Sequence, residues 1–443
     1  MKYQYKAPFN SILLRYNEIG IKGGNRWMFE RKLLDNIRTK LTDIPNLSFY
    51  KDRGRFALVH EDESPFTEEE LNKIRTALSK VFGLESYSLG FQVEPYWEDI
   101  HETILANIES VYEVHNAACK EGDMIPYRTR SRRSFKKFPY TSNEIEIMLA
   151  EELVERWPNL KVDLSNPELE VGLEIREDSA FIFFETLPGP KGLPVGSSDK
   201  VLSLMSGGID SPVACNKAMQ RGSHVDYLTF HSHPYTSKDV LEKIGKLVDI
   251  CDTYSDKPGK YFACNLVEAQ KMIRDRCIPK FRTILYRRMM MRIATVVSRM
   301  LKSSALLTGE SVAQVASQTL SNMDTINRST DMVILRPLIS YDKNETIQIA
   351  EKIGTLETSN IPAPDSCTTF APKKPATNSK MHMITKTEKK LDMDDVIRLC
   401  LKDTVLIDTE TMEEEEVPKL LEIFDKHFAD RWEVPEDALE SPR

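Results

Sequence analysis

No two of the seven cysteines, at positions 119, 215, 251, 264, 277, 367 and 400, stand at C-x-x-C spacing. That excludes a thiolate knuckle for zinc or an iron–sulfur cluster, and no other metal-ligand set is read. An odd, scattered set of cysteines suits reduced thiols rather than a disulfide framework. The chain also lacks an apolar run long enough to span a bilayer. Its start, Met1-Lys2-Tyr3-Gln4-Tyr5-Lys6, has no apolar signal core. It is therefore read as cytoplasmic, with no membrane partner. Aromatic residues make up only 8% of the chain, and a net charge of −8 shows that it is not basic throughout. A net charge is an average, however, and can hide a local basic face. No internal repeat is present.

What is present is a sizeable apolar fraction. At 443 residues, 41% hydrophobic and 29% charged, the chain should fold as two to four globular domains. Over residues 1–82, strand-like runs at Ser11–Leu14 and Arg55–Val59 alternate with helical patterns at 25–41 and 68–82. This order indicates a small α+β domain of ferredoxin-like type. Residues 83–196 carry helical patterns near 97–117 and 141–157 and strand-like runs at Leu169–Ile175 and Ala180–Glu185. This segment ends in the Pro/Gly-dense Leu187–Gly196. Residues 197–385 alternate buried strands (Val201–Met205, Val225–Phe230, Ala305–Thr308) with helices expected over 211–221, 237–250, 266–300 and 343–353, an α/β, doubly wound domain. Residues 386–443 are highly charged, include Glu413-Glu414-Glu415-Glu416, and read as an acidic, solvated helical C-terminal extension.

The first strand of the α/β domain runs into Ser206-Gly207-Gly208-Ile209-Asp210-Ser211-Pro212. The glycines let backbone approach an anion closely, the serines bring hydroxyls, and Pro212 fits a first helical turn. The amides and dipole of that helix start favour a phosphate. The loop has no Walker A lysine and no G-x-G-x-x-G pattern. Its sequence resembles the pyrophosphate-binding (PP) loop of enzymes that split ATP between the α and β phosphates and adenylate a substrate. ATP with Mg²⁺ is the implied cofactor pair. Asp210 suits a catalytic or Mg²⁺ role better than a direct phosphate contact, because two anions repel.

Further stretches extend the likeness to about residue 380. They are Arg15–Glu18 with Lys22–Arg26, Leu193–Gly196, Thr308–Ser311 with Gln314–Thr319, Arg336-Pro337-Leu338, and Asp342-Lys343. Together they identify the chain as resembling the tRNA 4-thiouridine synthetase (tRNA sulfurtransferase) family, in a short form without a rhodanese domain. The resemblance implies a ferredoxin-like domain at 1–82, a THUMP RNA-binding domain at 83–196 and a PP-loop ATP pyrophosphatase domain at 197–385. It places nucleotide contacts on Leu204, Met205, Ser206, Gly207, Gly208, Asp210, Ser211, Phe230, Arg287, Gly309 and Gln318. It also places one on Thr229, where the family carries histidine. Arg287 would neutralise phosphate, and Lys343 would stabilise charge on departing pyrophosphate.

Sulfur chemistry needs a thiol able to hold a persulfide. Cys367 lies in the Pro-rich, aperiodic Ile361–Pro372, which reads as an accessible loop. The resemblance puts the acceptor cysteine there, with Ser366 where many relatives have a second cysteine. Cys264 and Cys277 are candidate partners for Cys367 once sulfur has left. Cys400 sits in a charged helical pattern rather than a rhodanese loop, so an external cysteine desulfurase is the expected sulfur donor.

Arg128, Arg130, Arg132, Arg133, Lys136 and Lys137 fall within ten residues with no acid between them, interleaved with Phe135, Phe138 and Tyr140. Such a cluster suits phosphate contacts and base stacking, and tRNA is the expected partner. The whole reads as an enzyme that adenylates the O4 of a tRNA uridine, at position eight by the resemblance, and then transfers persulfide sulfur to C4. The alternative is sulfur transfer to a carrier protein of the thiamin pathway. A homodimer is left open.

Overall fold

The computed structural model describes residues 5, 7–52, 54–120, 122–363 and 369–432. The chain divides into two compact units, Met1–Leu193 and Pro194–Arg443.

In the first unit the strands are β1 (Ser11–Arg15), β2 (Leu47–Asp52), β3 (Arg55–His60), β4 (Ser86–Val93), β5 (Ile125–Arg133), β6 (Leu160–Val162), β7 (Leu169–Ile175), β8 (Ala180–Phe183) and β9 (Leu187–Pro188). The helices are α1 (Arg26–Lys40), α2 (Glu68–Leu78), α3 (Trp97–Ala117) and α4 (Ser142–Arg156). The strands form one sheet in the order β2-β3-β1-β4-β8-β7-β5-β6, with β9 also on β4. β1-α1-β2-β3-α2-β4 is the ferredoxin-like order. β1 lies antiparallel between β3 and β4. β4 falls beyond residue 82 and also pairs with β8, so the sheet runs unbroken across the boundary that the sequence suggested. Gly90 permits this junction, because a methyl there would meet the Ile182 carbonyl oxygen at 2.1 Å. Capping boxes, Thr67 with Glu70 and Thr141 with Glu144, start α2 and α4. Ile12 and Leu14 of β1 join Leu33, Ile74, Ile104 and Leu149 from the four helices in one core. Leu13 belongs to a separate cluster with Phe181 and Phe183, as a two-residue strand period requires.

The second unit contains β10 (Val201–Leu204), β11 (Val225–His231), β12 (Tyr261–Asn265), β13 (Ala305–Leu307), β14 (Val333–Leu335), β15 (Thr404–Ile407) and β16 (Glu414–Glu416), in the order β14-β13-β10-β11-β12-β15-β16. β14 to β12 are parallel. The helices are α5 (Asp210–Gln220), α6 (Asp239–Asp252), α7 (Val267–Arg276), α8 (Arg282–Leu301), α9 (Leu320–Asn327), α10 (Lys343–Ile353), α11 (Leu356–Asn360), α12 (Met381–Glu388), α13 (Met393–Lys402) and α14 (Lys419–His427). The single helix expected over 266–300 is two. Pro279, in a 3-10 turn at Pro279–Phe281, cannot continue α7 and restricts the residue before it.

The segment from 386 onward differs most from its sequence reading. It is not only helical, and it is not a solvated appendage. β15 and β16 add antiparallel strands beyond β12. Met393, Val396, Ile397, Cys400 and Leu401 bury one face of α13, and Leu420, Phe424 and Phe428 complete the same core. Glu388 at the end of α12 is clamped by Arg288 (2.8 Å) and Arg292 (2.9 Å) of α8, with all three side chains nearly inaccessible. Burial opposes its ionisation, but the two guanidiniums hold its carboxyl down to about 2.

Candidate active site

Strand order reverses at β10: β11 and β12 lie on one side of it, β13 and β14 on the other. Such a switch point opens a crevice at the carboxyl ends of the strands. The loop from β10 into α5 fills it. The Ser206 amide donates to Ser211 Oγ (3.0 Å), the two hydroxyls are 3.1 Å apart, and Ser211 Oγ donates to the Ser206 carbonyl (3.1 Å). The Gly208 amide reaches Ser206 Oγ (3.4 Å). The serines thus bond to each other and set the shape of the loop. Pro212 occupies the first turn of α5, as expected.

Over the loop lies a cavity of 640 Å³, within the size range of small-molecule sites. Ser206, Gly207, Gly208, Asp210 and Ser211 form one wall. Leu204 and Met205 at the end of β10, and Thr229 and Phe230 on β11, line the next. Arg287, Gly309 and Gln318 complete the set, so all twelve residues expected to hold the nucleotide meet at one cavity. Arg287 lies in the second turn of α8. It donates to Glu310 Oε1 (2.5 Å), while Arg336 Nε (2.7 Å) and Thr308 Oγ1 (3.1 Å) reach Glu310 Oε2. Among the described residues, Arg287 Nε and Gln318 Oε1 are buried without a hydrogen-bond partner. Buried polar atoms of this kind are normally satisfied.

Gly309 has a reason other than direct approach to a ligand. A methyl on it would come within 2.7 Å of the Asp210 carbonyl carbon and 2.8 Å of the Ser211 amide. The turn after β13 and the start of α5 therefore touch backbone to backbone. Lys343 is the first residue of α10, after the Asp342 cap. Its Nζ lies 2.8 Å from Asp210 Oδ1, and Gln314 Nε2 donates to Asp210 Oδ2 (3.1 Å). Asp210, Gln314 and Lys343 also line an adjoining cavity of 200 Å³.

Several polar residues that line this site were not assigned to it in the sequence, Gln314, Ser359 and Asn360 among them. Glu310 was read only as part of a motif. Lys243 also lines the 640 Å³ cavity, and its signal was available: a lysine in the apolar helical stripe Val240, Ile244, Leu247.

Cys367 lies outside the described residues; Ile361, Pro362 and Ala363 before it line the cavity. Cys264 and Cys277 are buried in the core, and burial pushes the Cys277 thiol up. Cys400 is buried as well. Neither Cys264 nor Cys277 is presented to solvent as a partner for another thiol.

The basic cluster sits in the first unit, and the structure divides it. Tyr127, Thr129 and Ser131 of β5 point into the core while Arg130 and Arg132 are exposed. Among the described residues, neither of these arginines forms an ion pair. Arg128 is held by Glu170 (2.9 Å), and Arg133 donates to the Phe138 carbonyl (2.9 Å). Lys136 and Lys137 are exposed in the turn that follows. The expected base-stacking rings are spoken for: Phe138 is buried, and Phe135 and Tyr140 pack against the core.

No helix among the described residues is long and apolar enough to cross a membrane, and no cluster of three or more metal-ligating side chains is found among them.

The reversed parallel sheet, the closed serine–glycine loop and the cavity above it define an α/β nucleotide-binding domain of the PP-loop type, in a chain that also carries a ferredoxin-like α+β unit. The chain belongs to the ThiI family. Residues 196–393 match the family profile described as thiamine biosynthesis protein (ThiI), residues 11–88 the ThiI ferredoxin-like domain and residues 97–185 the THUMP domain. A probable tRNA sulfurtransferase of Moorella thermoacetica is 37% identical over 91% of this chain and 98% of its own. One from Coxiella burnetii is 36% identical over 88% and 97%. A crystal structure of a 4-thiouridine synthetase–RNA complex with bound ATP superposes with a TM-score of 0.78 at 32% identity, over 90% of this chain and all of that one.

Proposed function

We propose that this chain is an ATP-dependent tRNA sulfurtransferase that makes 4-thiouridine at position eight of tRNA. The observation that carries the reading is the meeting of the Ser206–Ser211 loop with Arg287, Gly309 and Gln318 at one cavity, in a chain similar over nearly their whole length to relatives named probable tRNA sulfurtransferases.

In the first step, uridine O4 attacks the α phosphorus of ATP, and pyrophosphate leaves. The loop amides and Arg287 hold phosphate oxygens, and Lys343 stabilises charge on the departing pyrophosphate. Asp210, a carboxylate beside the loop that here accepts from Lys343 and Gln314, would hold Mg²⁺, which usually takes one or two protein carboxylates together with substrate phosphates and waters. When bound, that ion adds neutralising charge at the phosphates. In the second step, the terminal sulfur of a persulfide on Cys367 replaces AMP at C4. A second thiol then attacks Cys367 Sγ, forming a disulfide with it and leaving the transferred sulfur on C4 as the 4-thio group. A cysteine desulfurase in the cytoplasm loads the persulfide. Residues 83–196 hold the tRNA through Arg130, Arg132, Lys136 and Lys137, residues 1–82 and 197–385 serve as the ferredoxin-like and catalytic domains, and 386–443 extend the last of these. A homodimer is compatible with this scheme.

The test is reconstitution with unmodified tRNA, Mg-ATP, a cysteine desulfurase and cysteine, read by the near-ultraviolet absorbance of 4-thiouridine. Cys367→Ser should abolish thiolation. Full activity in that variant would remove Cys367 from the scheme, and no thiolation by the native chain would remove the scheme itself.

A further inference from the structure

Lys243 of α6 is only 7% exposed. Its Nζ donates to the carbonyls of Ser359 (2.9 Å) and Ile361 (2.6 Å), at the end of α11. The same ammonium lies against the pyrophosphate loop, since a methyl built on Gly207 would meet Lys243 Cε and Nζ at 3.4 Å. A second link runs beside it, from the Ser359 hydroxyl to the Gly208 carbonyl (3.5 Å). Lys243 and Ser359 both line the cavity. Burial lowers the proton affinity of Lys243, and among the described residues no carboxylate pairs with it.

Carbonyl oxygens solvate an ammonium but do not neutralise it, and a buried charge without a counter-ion is costly. A triphosphate on the adjoining loop would supply the missing negative charge. Two of the three N–H donors are meanwhile committed to the backbone that leads, six residues beyond Ile361, to Cys367.

We infer that Lys243 is a positioning residue that ties residues 359–361, which lead in sequence to Cys367, to the phosphate-occupied loop, so that nucleotide binding is coupled to delivery of sulfur. This rests on Cys367 carrying the sulfur. Lys243 takes no part in bond making. Its removal should impair delivery of sulfur from the protein well beyond any loss in adenylation.

The experiment compares two sulfur sources at saturating ATP. With inorganic sulfide, the rate of Lys243→Met reports what the variant loses in nucleotide binding and adenylation alone. With desulfurase and cysteine the loss should exceed the loss with sulfide at least about tenfold. Equal losses with both sources, or no loss with either, would overturn the inference. Cys367→Ser, run in parallel, must lose only the desulfurase-driven rate; if it keeps that rate, the persulfide assignment fails instead. Should Lys243→Met not fold, hydrogen exchange in the native chain decides. Binding of ATP should slow exchange at the Ser359 and Ile361 amides at least about fivefold, and unchanged exchange there would refute the coupling.

Discussion

Lys343 Nζ stands 2.8 Å from Asp210 Oδ1, joining the first residue of α10 to the first residue of α5 across the mouth of the pyrophosphate loop. Both are the opening residues of helices, so backbone geometry fixes where each side chain begins. Lys343→Met should lower the rate of pyrophosphate release about 10²–10³-fold with a smaller change in KM for ATP. Asp210→Asn should lower the rate as well, while costing about 0.3–1 kcal/mol of stability through its lost charge at a helix start. Steady-state kinetics of pyrophosphate release and thermal melts measure the two effects.

Gly309→Ala tests the backbone contact under the loop. The added methyl would lie within 3 Å of the Asp210 and Ser211 backbone, so α5 must move. The expected cost is about 1–3 kcal/mol of stability, with an ATP affinity at least tenfold weaker by calorimetry, since a shift of about 1.4 kcal/mol is enough. A native-like affinity would show that the loop tolerates displacement.

The arginines of β5 should separate into two classes. Arg130→Glu with Arg132→Glu should weaken tRNA binding and make its logarithmic salt dependence shallower by about 1–2 units, leaving the melting temperature unchanged. Arg128→Ala removes the partner of Glu170, so it should cost stability more than it costs affinity. Filter binding over a salt series beside thermal melts distinguishes these outcomes.

How much of this was legible in the sequence depended on whether apolar period and local chemistry agreed. The β10–loop–α5 unit was legible because an apolar strand, two glycines, two serines and a first-turn proline all point to one structure. α10 was placed at its observed bounds by the same agreement. β2 was missed: Leu47, Ser48 and Phe49 are half-buried and Tyr50 and Lys51 exposed, so it offers no buried alternation. β12 was missed too, because Tyr261–Asn265 is buried almost throughout and so shows no alternation. α13 did show a helical stripe at Met393, Val396, Ile397, Cys400 and Leu401, but the surrounding charge obscured it. The division of the β5 arginines could not be read from one strand. It depends on Glu170 of β7, which lies in register opposite Arg128.

Glu388→Gln should be severe. It leaves Arg288 and Arg292 buried without their counter-charge, a change that typically costs about 3–5 kcal/mol. The native pair also has an acid signature. The Glu388 carboxyl, held at about 2, lies below its unfolded value of about 4.3. The folded state therefore binds fewer protons, and the contribution is complete above the unfolded value. It is lost as pH falls from there through the folded value. Urea melts across that window should show a decline that Glu388→Gln lacks.

One edge strand of the second unit's sheet is β16, Glu414-Glu415-Glu416, with all three residues exposed and Glu414 paired with Lys238. An unpaired strand edge invites the edge of another molecule, and a row of like charges repels it. The acidic run that reads as a solvated tail therefore puts its charge on a sheet edge, where it opposes edge-to-edge association. A chain ending after Asp403 would bare β12, with Tyr261, Phe262, Ala263 and Cys264 all buried in the intact fold, and should self-associate at concentrations where the intact chain stays dispersed.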